Sequence, residues 1–163
     1  IDGDGITEVP VAVQVPAYGE SSVDQFWWME WMHYHPDGSR DWVLTTYHSG
    51  DGWYLEIPDG WLPAAEISMC RQESSTIGVR SVTFAWTPQG EEEAQPEPFL
   101  EICCLMGSDR SRQANQNERF TLYEDATTIY TAEFLDSSWD CGLEEQSLTA
   151  SFHASAGAWN TSD

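Results

Sequence analysis

The chain opens with IDGDGITEVP, in which acidic side chains alternate with glycines before a strand-like run begins. Calcium sites in proteins collect about six to eight oxygen ligands from carboxylates and carbonyls on a tightly turning loop. Asp2 and Asp4 would each supply a carboxylate, Ile6 a backbone carbonyl, and Glu8 the closing carboxylate. The spacing therefore predicts part of a calcium loop over residues 1–8 in the intact protein, with its first ligand contributed from upstream. For this segment alone, which is one ligand short, we expect an acidic, glycine-rich leader without a bound ion.

A second group of candidate ligands lies in the segment HYHPDG, which contains two of the four histidines. His33 and His35 would share one face of a strand, because side chains alternate between faces, and such a pair can chelate zinc or copper. Asp37 follows at the same spacing. His48 would lie toward the far end of the next strand, where it converges poorly with the pair. We therefore expect solvent-facing histidines here, not a metal site.

Tryptophans crowd the first 61 residues of the chain, which hold six of the nine. On a strand, Trp27 and Trp31 fall on one face and Trp28 on the other. Trp53 and Trp61 form a second candidate pair. An exposed aromatic platform beside acidic hydrogen-bond acceptors is suited to holding sugars. Two alternatives stay open: these rings fill a core between a sheet and its helices, or they dock an upstream domain.

Nucleophilic catalysis finds little support in the residue pattern. The chain has no G-x-S-x-G turn and no lysine, which excludes Schiff-base chemistry and a Walker phosphate loop. Paired carboxylates are uninformative among 28 acidic residues, since some pair must lie close by chance. We predict that the chain is not an enzyme, with a hydrolase that uses unidentified carboxylates as an alternative.

The four cysteines are Cys70, Cys103, Cys104 and Cys141, and their spacing matches no zinc pattern. Cys103 and Cys104 would point to opposite faces of a strand. We expect buried free thiols, and the sequence leaves disulfide formation open.

Net charge is the outlier in the composition, at −22 over 163 residues. Nucleic acids and anionic lipids are bound by cations, so this balance argues against both as partners. No stretch approaches the roughly 18 apolar residues that a membrane span needs. The length suits one domain with its own core. Without an initiator methionine or a visible leader, we expect the chain to be a segment of a longer, exported protein.

Strand patterns dominate the rest of the chain, separated by turn signals such as PDG and GDG. The predicted strands are 8–15, 25–35, 41–49, 53–58, 65–73, 79–87, 99–107 and one within 121–135. Residues 108–120 predict a surface helix, and apolar spacing over 143–159 predicts a terminal helix. This pattern predicts an α+β fold with an antiparallel sheet of about seven or eight strands and two helices.

The segment GWYLEIPDGW resembles a hairpin of bacterial lipoproteins that carry a PsbP-like domain, an antiparallel sheet flanked by helices. The order of features also resembles the C-terminal domain of secreted lipoproteins of gut Firmicutes. Those proteins join an FG-GAP-like leader to an α+β domain of this kind. The matching pieces are residues 2–11, 28–34, 52–61, 129–134 and 143–159.

This resemblance implies that residues 1–8 are the end of an upstream leader that resembles a calcium loop, and that residues 9–163 form a single α+β domain. It implies an extracellular location, anchored to the membrane through a lipid signal upstream. The expected function is a non-catalytic accessory or interaction domain that partners an upstream domain, a glycan or a cell-surface protein. No cofactor is implied beyond Ca²⁺ in the intact protein, and no catalytic residue. The alternative is a carbohydrate-binding module that uses Trp27, Trp31, Trp53 and Trp61.

Overall fold

The computed structural model describes residues 8–19, 25–62, 66–74, 78–90 and 92–154. Its strands in this part of the chain are β1 Glu8–Val15, β2 Phe26–Tyr34, β3 Arg40–Ser49, β4 Trp53–Ile57, β5 Ile67–Ser74, β6 Val79–Trp86, β7 Glu97–Met106, β8 Phe120–Glu124, β9 Thr128–Phe134 and β10 Phe152–Ala154. The helices described are α1 Arg110–Ala114, α2 Glu145–Ser151 and a 3-10 turn at Asp59–Trp61.

The strands form two five-stranded sheets in which every neighbouring pair is antiparallel. The first sheet has the order β1-β2-β3-β4-β10, and the second has the order β5-β6-β7-β9-β8. Both begin as meanders, in which strands that are consecutive in the sequence pair directly. The predicted antiparallel architecture is confirmed, and the short helices are compatible with the α+β class.

The predicted PDG turn joins β2 to β3. Gly38 there has a φ of 87°, a left-handed conformation that glycine adopts without strain. Asp37 accepts hydrogen bonds from the backbone N–H and the hydroxyl of Ser39, at 2.8 and 2.6 Å. These two bonds lower the pKa of Asp37. The Asp37 side chain, which the sequence pattern had suggested as a possible metal ligand, therefore stabilises a turn.

The two sheets pack face to face around an aromatic core. From the first sheet, Trp28 and Tyr47 lie opposite each other in register, and both are buried. Trp28 donates its indole N–H to the sulfur of Met69 on β5, at 3.4 Å. Tyr47 packs edge-on against Phe84 of β6, with 6.1 Å between ring centroids. The apolar face that each sheet had to bury is thus covered by the other sheet.

Trp61 closes one end of this core. Its ring packs edge-on against Phe99 of β7 at 4.9 Å and lies 6.5 Å from the ring of Trp28. Its indole N–H donates to the carbonyl oxygen of Cys141 at 2.9 Å. Trp139 adds a further ring at 4.9 Å from Phe99. The polar N–H of a buried indole is satisfied in this way without loss of apolar contact.

Two elements differ from the sequence prediction near the C-terminus. The terminal helix predicted over 143–159 ends at Ser151, and Phe152 begins β10, which pairs with β4. Leu148 and Phe152 are both buried, as a helical face would require, but the chain satisfies this by turning from helix to strand. The residues after Ala154 lie outside the described part of the chain.

The surface helix predicted over 108–120 shortens to the five residues of α1, and β8 follows it. With β8 and β10 added, the described strands number ten in two sheets, where about seven or eight in one sheet had been expected. Between residues 8 and 154, in the ranges described above, no helix is long and apolar enough to cross a membrane.

Candidate functional site

The outward face of the first sheet carries five aromatic side chains, which we call the aromatic face: Trp27, Trp31, His48, Tyr54 and His153. Register places them together, because His48 pairs with Tyr54, and Tyr54 pairs with His153 of β10. The pairing of Trp28 with Tyr47 brings Trp27 next to His48. The sequence prediction that Trp27 and Trp31 share one face while Trp28 points to the other is confirmed.

Three rings of the aromatic face stand side by side across β3, β4 and β10. The rings of His48 and Tyr54 are stacked with centroids 5.0 Å apart, and those of Tyr54 and His153 are stacked at 4.6 Å. These distances match the spacing of about 4.8 Å between neighbouring strands, so each ring projects from its own strand. Because the rings cover each other's faces, they offer mainly their edges to solvent.

A hydrogen-bonded chain fixes Trp31 against this stack. The Trp31 indole N–H donates to the hydroxyl of Thr46 at 2.9 Å, and that hydroxyl shares a second hydrogen bond with His48 Nε2 at 2.9 Å. Thr46 is fully buried beneath these rings. Burial lowers the pKa of His48, which favours the neutral imidazole that accepts the hydroxyl proton.

Trp27 is the most exposed ring of the aromatic face, with 42% of its surface accessible. Polar groups lie beside the ring stack. The Glu56 carboxylate is 3.7 Å from His153 Nε2, and both side chains are partly exposed. Burial and the neighbouring Glu56 carboxylate raise the pKa of Tyr54. The face therefore combines an exposed indole with a hydroxyl, an imidazole and a carboxylate.

His153 contributes an unusual atom to this arrangement. Its Nε2 is buried and has no hydrogen-bond partner among the described residues, since 3.7 Å to Glu56 exceeds hydrogen-bonding distance. A buried polar atom of this kind costs free energy unless some group binds it. It lies at the β10 end of the ring stack, at the opposite end of the face from Trp27.

The second predicted tryptophan pair is placed differently. Trp53 and Trp61 are each only 1% exposed, so neither offers a surface to a ligand in this structure. The face of Trp53 is stacked against Phe152, with centroids 5.5 Å apart. Sequence alternation alone could not separate these core rings from the exposed ones, because a strand can bury either face.

The histidines of HYHPDG do not converge. His35 lies just beyond β2, where its Nε2 is 2.6 Å from an Asp41 carboxylate oxygen in an exposed pair. His33 pairs in register with Asp41 on one side and Glu8 on the other. Within the described ranges, no three His, Cys, Asp or Glu side chains are grouped as a metal site requires.

Of the four candidate calcium ligands, one lies in the part of the chain that the structure describes. Asp2, Asp4 and Ile6 lie outside the described residues, and Glu8 is the first residue of β1. The calcium loop stays a prediction.

None of the four cysteines, all of which the structure describes, is joined in a disulfide. Cys104 belongs to the main core, and Cys103 belongs to a second buried cluster with Leu105 on the opposite face of β7. The predicted opposite orientation of the adjacent pair is therefore confirmed. Burial raises the pKa of Cys103 to about 12 and that of Cys104 to about 11, so neither is a reactive thiolate.

Two residues of the aromatic face, and the threonine buried beneath it, were not predicted as site residues from the sequence. Tyr54 was read only as part of a strand, Thr46 was not singled out, and His153 was placed on a helix. The signal for Tyr54 was its alternation with Trp53 and Leu55 in WYLEI, which marks it as outward-facing. No local signal marks His153, because β10 has only three residues and depends on pairing with β4.

Comparisons with protein-family models, with curated proteins and with solved structures find no match to this chain.

Proposed function

We propose that this chain is a non-catalytic extracellular binding domain and that the aromatic face of the first sheet is its binding surface. The single observation that carries this proposal is the exposed Trp27 ring beside a fixed Trp31 and polar edges. A large indole left in water on a flat sheet is unfavourable unless something covers it. The hydrogen bonds that hold Trp31 pre-organise the surface, which lowers the entropy cost of binding.

Carbohydrate is the ligand class that this surface fits best. The C–H face of a sugar ring packs on an indole, and sugar hydroxyls bond to carboxylates, imidazoles and phenol groups. Trp27 and Trp31 offer the ring faces, while Glu56, Tyr54 and His153 offer polar groups. Across β2, β3, β4 and β10 the face spans three inter-strand steps, roughly 14 Å, which suits a chain of sugars better than one sugar.

The setting of this domain follows from the sequence resemblance alone. We propose an accessory domain of a lipid-anchored bacterial surface protein, positioned after a calcium-binding leader. The net charge of −22 supports an exported, soluble surface and opposes binding to nucleic acid. The finer PsbP-like assignment rests on the order of motifs. In PsbP-like domains helices cover the apolar face of the sheet, whereas in this chain the opposite sheet covers it.

A hydrolase is the less supported alternative. A cleft on the second sheet contains two carboxylates, Glu73 and Glu101. Glu73 pairs with Arg80 at 3.0 Å and is 62% exposed, whereas Glu101 accepts the Cys103 thiol proton at 3.3 Å. Glycosidic cleavage needs one carboxyl group on each side of the scissile bond. Each of these two carboxylates is instead engaged by a neighbouring side chain of the protein.

The experiment that tests the proposed function is a binding screen with soluble polysaccharides and their hexasaccharides: cellulose-, xylan-, mannan- and chitin-derived. Binding is followed by the fluorescence of the tryptophans and by calorimetry. We expect one class to bind and to change the emission of Trp27. If no carbohydrate in the panel binds, and the face is instead covered when the longer protein is examined, it is a contact for an upstream domain.

A further inference from the structure

The aromatic face carries no side chain that would neutralise an anionic ligand. The chain has six arginines and no lysine, and all six lie in the described part of the chain. Five of them lie in β5, in β6, in α1 or just before β8, on the side of the second sheet. Arg40 pairs with Tyr34, which alternation places on the same side of β2 as the core ring of Trp28. Arg40 therefore also points away from the aromatic face.

Glu56 brings a carboxylate to the ring stack of this face. Its side chain is 45% exposed and lies 3.7 Å from His153 Nε2, so the two form an ion pair only while the imidazole is protonated. After burial, the Glu56 charge is the second cause of the raised pKa of Tyr54, which places that charge near the Tyr54 hydroxyl. Asp41, on the outward side of β3, is instead hydrogen-bonded to His35 at 2.6 Å. Glu56 is therefore the carboxylate that a ligand on this face would meet.

Strand register sets the distance between this carboxylate and the indoles. Met29, Thr46 and Glu56 form one row across β2, β3 and β4. The rows on either side of it begin at Trp27 and at Trp31, so Glu56 lies two strands, roughly 10 Å, from the strand that carries both indoles. That distance is longer than one sugar ring. A sugar stacked on either indole would leave Glu56 to a later sugar of the same chain.

A partly exposed carboxylate at this position selects ligands by their charge. A hydrogen bond from an ammonium group to a carboxylate is roughly twice as strong as one between neutral groups. An ammonium group is also attracted to the face of an indole ring. The net charge of −22 adds a long-range attraction for cations and a repulsion for anions. All three effects favour a sugar with a protonated amine over a neutral sugar, and a neutral sugar over a uronic acid.

We propose that the aromatic face binds polysaccharides of amino sugars whose amines are free and protonated. One sugar stacks on Trp27 or Trp31, and the ammonium group of a later sugar donates to the Glu56 carboxylate. This inference rests on the carbohydrate binding proposed above and adds the charge of the sugar. Because every sugar of such a polymer carries an amine, one of them meets Glu56 in whichever register the polymer binds.

The test compares four ligands by calorimetric titration in physiological salt, at a pH at which the sugar amines are protonated. A β-1,4-linked glucosamine hexamer carries an ammonium group at each C2 position where cellohexaose carries a hydroxyl. Hexagalacturonate carries carboxylates, and hexalysine carries ammonium groups without sugar rings. We expect the glucosamine hexamer to bind at least about threefold more tightly than cellohexaose, and hexagalacturonate and hexalysine to bind more weakly than the glucosamine hexamer.

Two variants with the same net charge separate the local carboxylate from the overall charge. Glu56→Gln should lower the affinity for the glucosamine hexamer to that for cellohexaose, and its unchanged binding of cellohexaose shows that the face is intact. Glu124→Gln is the matched control, because Glu124 is exposed on β8 of the second sheet. This variant loses the same charge and should keep the preference for the glucosamine hexamer.

Three results would overturn the proposal: equal affinities for the glucosamine hexamer and cellohexaose, a preference that survives in Glu56→Gln, or hexalysine binding as tightly as the glucosamine hexamer. With cellohexaose still bound, the first two results leave the carbohydrate surface in place and remove only its selectivity for charge. If no hexasaccharide binds at all, the proposed function fails together with this inference.

Discussion

The indole nitrogen of Trp31 and the hydroxyl oxygen of Thr46 lie 2.9 Å apart on neighbouring strands of the first sheet. One residue earlier on β3, the hydroxyl of Thr45 accepts a hydrogen bond from Trp42 at 3.0 Å. Adjacent residues of a strand face opposite sides, so the two indoles are held on opposite faces. This arrangement is possible because a β-bulge leaves one residue of β3 out of the register with β2, which reverses the alternation of the side chains.

This pair of contacts gives a first prediction. Thr46→Val removes the buried acceptor of Trp31 and a partner of His48, and it should lower the free energy of unfolding by about 1–3 kcal/mol. Thr45→Val is the matched control, with a smaller loss, because the Trp42 indole is 40% exposed and water can replace the hydroxyl. Urea unfolding measures both. Equal losses would show that the Trp31–Thr46 bond has no special role.

Stability should depend on His48 at mildly acidic pH. Because burial lowers the pKa of folded His48, the unfolded chain binds more protons once the pH falls below the ordinary value of about 6.5. The His48 contribution to the free energy of unfolding is thus complete above that pH and is lost as the pH falls toward the lowered pKa. The many carboxylates also change the free energy of unfolding with pH, and they do so equally in the wild-type protein and in His48→Gln. Comparing these two proteins therefore isolates the contribution of His48.

In that comparison, the advantage of the wild-type protein over His48→Gln should shrink between about pH 7.5 and pH 5.5. Thermal or urea unfolding at the two pH values measures it. An advantage that stays constant or grows on acidification would contradict a partly buried, neutral His48.

Backbone geometry at Gly78 gives the third prediction. Its φ is 66°, and a Cβ there would lie 2.5 Å from the carbonyl oxygen of Met106. Gly107 has a φ of 88° but open space around its Cβ position. Gly107→Ala should cost only the left-handed conformation, about 1–2 kcal/mol, whereas Gly78→Ala adds a backbone clash and should cost more. Similar midpoints of urea unfolding for the two variants would show that the β6–β7 contact relaxes freely.

Thiol chemistry should follow burial. Burial raises the pKa of the Cys141, Cys103 and Cys104 thiols, so none of these three should react quickly in the folded protein. Cys141 is the least buried and should react first, which Cys141→Ser checks. After unfolding, all four thiols should titrate. A count of two would mean that the protein contains a disulfide.

The succession of strands along the chain could be predicted from the sequence, but their division between two sheets could not. Alternation and turn residues revealed β1 to β7 and β9, because those signals are local. β8 has five residues with an irregular pairing, and β10 has three, so their existence depends on partners distant in sequence. The apparent helical face of Leu148 and Phe152 was ambiguous for the same reason.

The candidate sites divide in a similar way. Alternation placed Trp27 and Trp31 on one face, but it could not show that Trp53 lies in the core. The contact between Glu101 and Arg119 had no sequence signal, because the two residues meet only in the folded chain. Burial and long-range pairing are properties of the folded chain, and they decide which aromatic or charged residues are available.

The aromatic face is tested most directly by comparing Trp27→Ala with Trp42→Ala in calorimetric titrations with the carbohydrate that the binding screen identifies. The two indoles are almost equally exposed, at 42% and 40%, but only Trp27 belongs to the aromatic face. We predict that Trp27→Ala weakens binding at least about tenfold, while Trp42→Ala leaves it unchanged, because stacking on an indole contributes well over 1 kcal/mol. Equal affinities for wild-type protein and Trp27→Ala would contradict the assignment of this face.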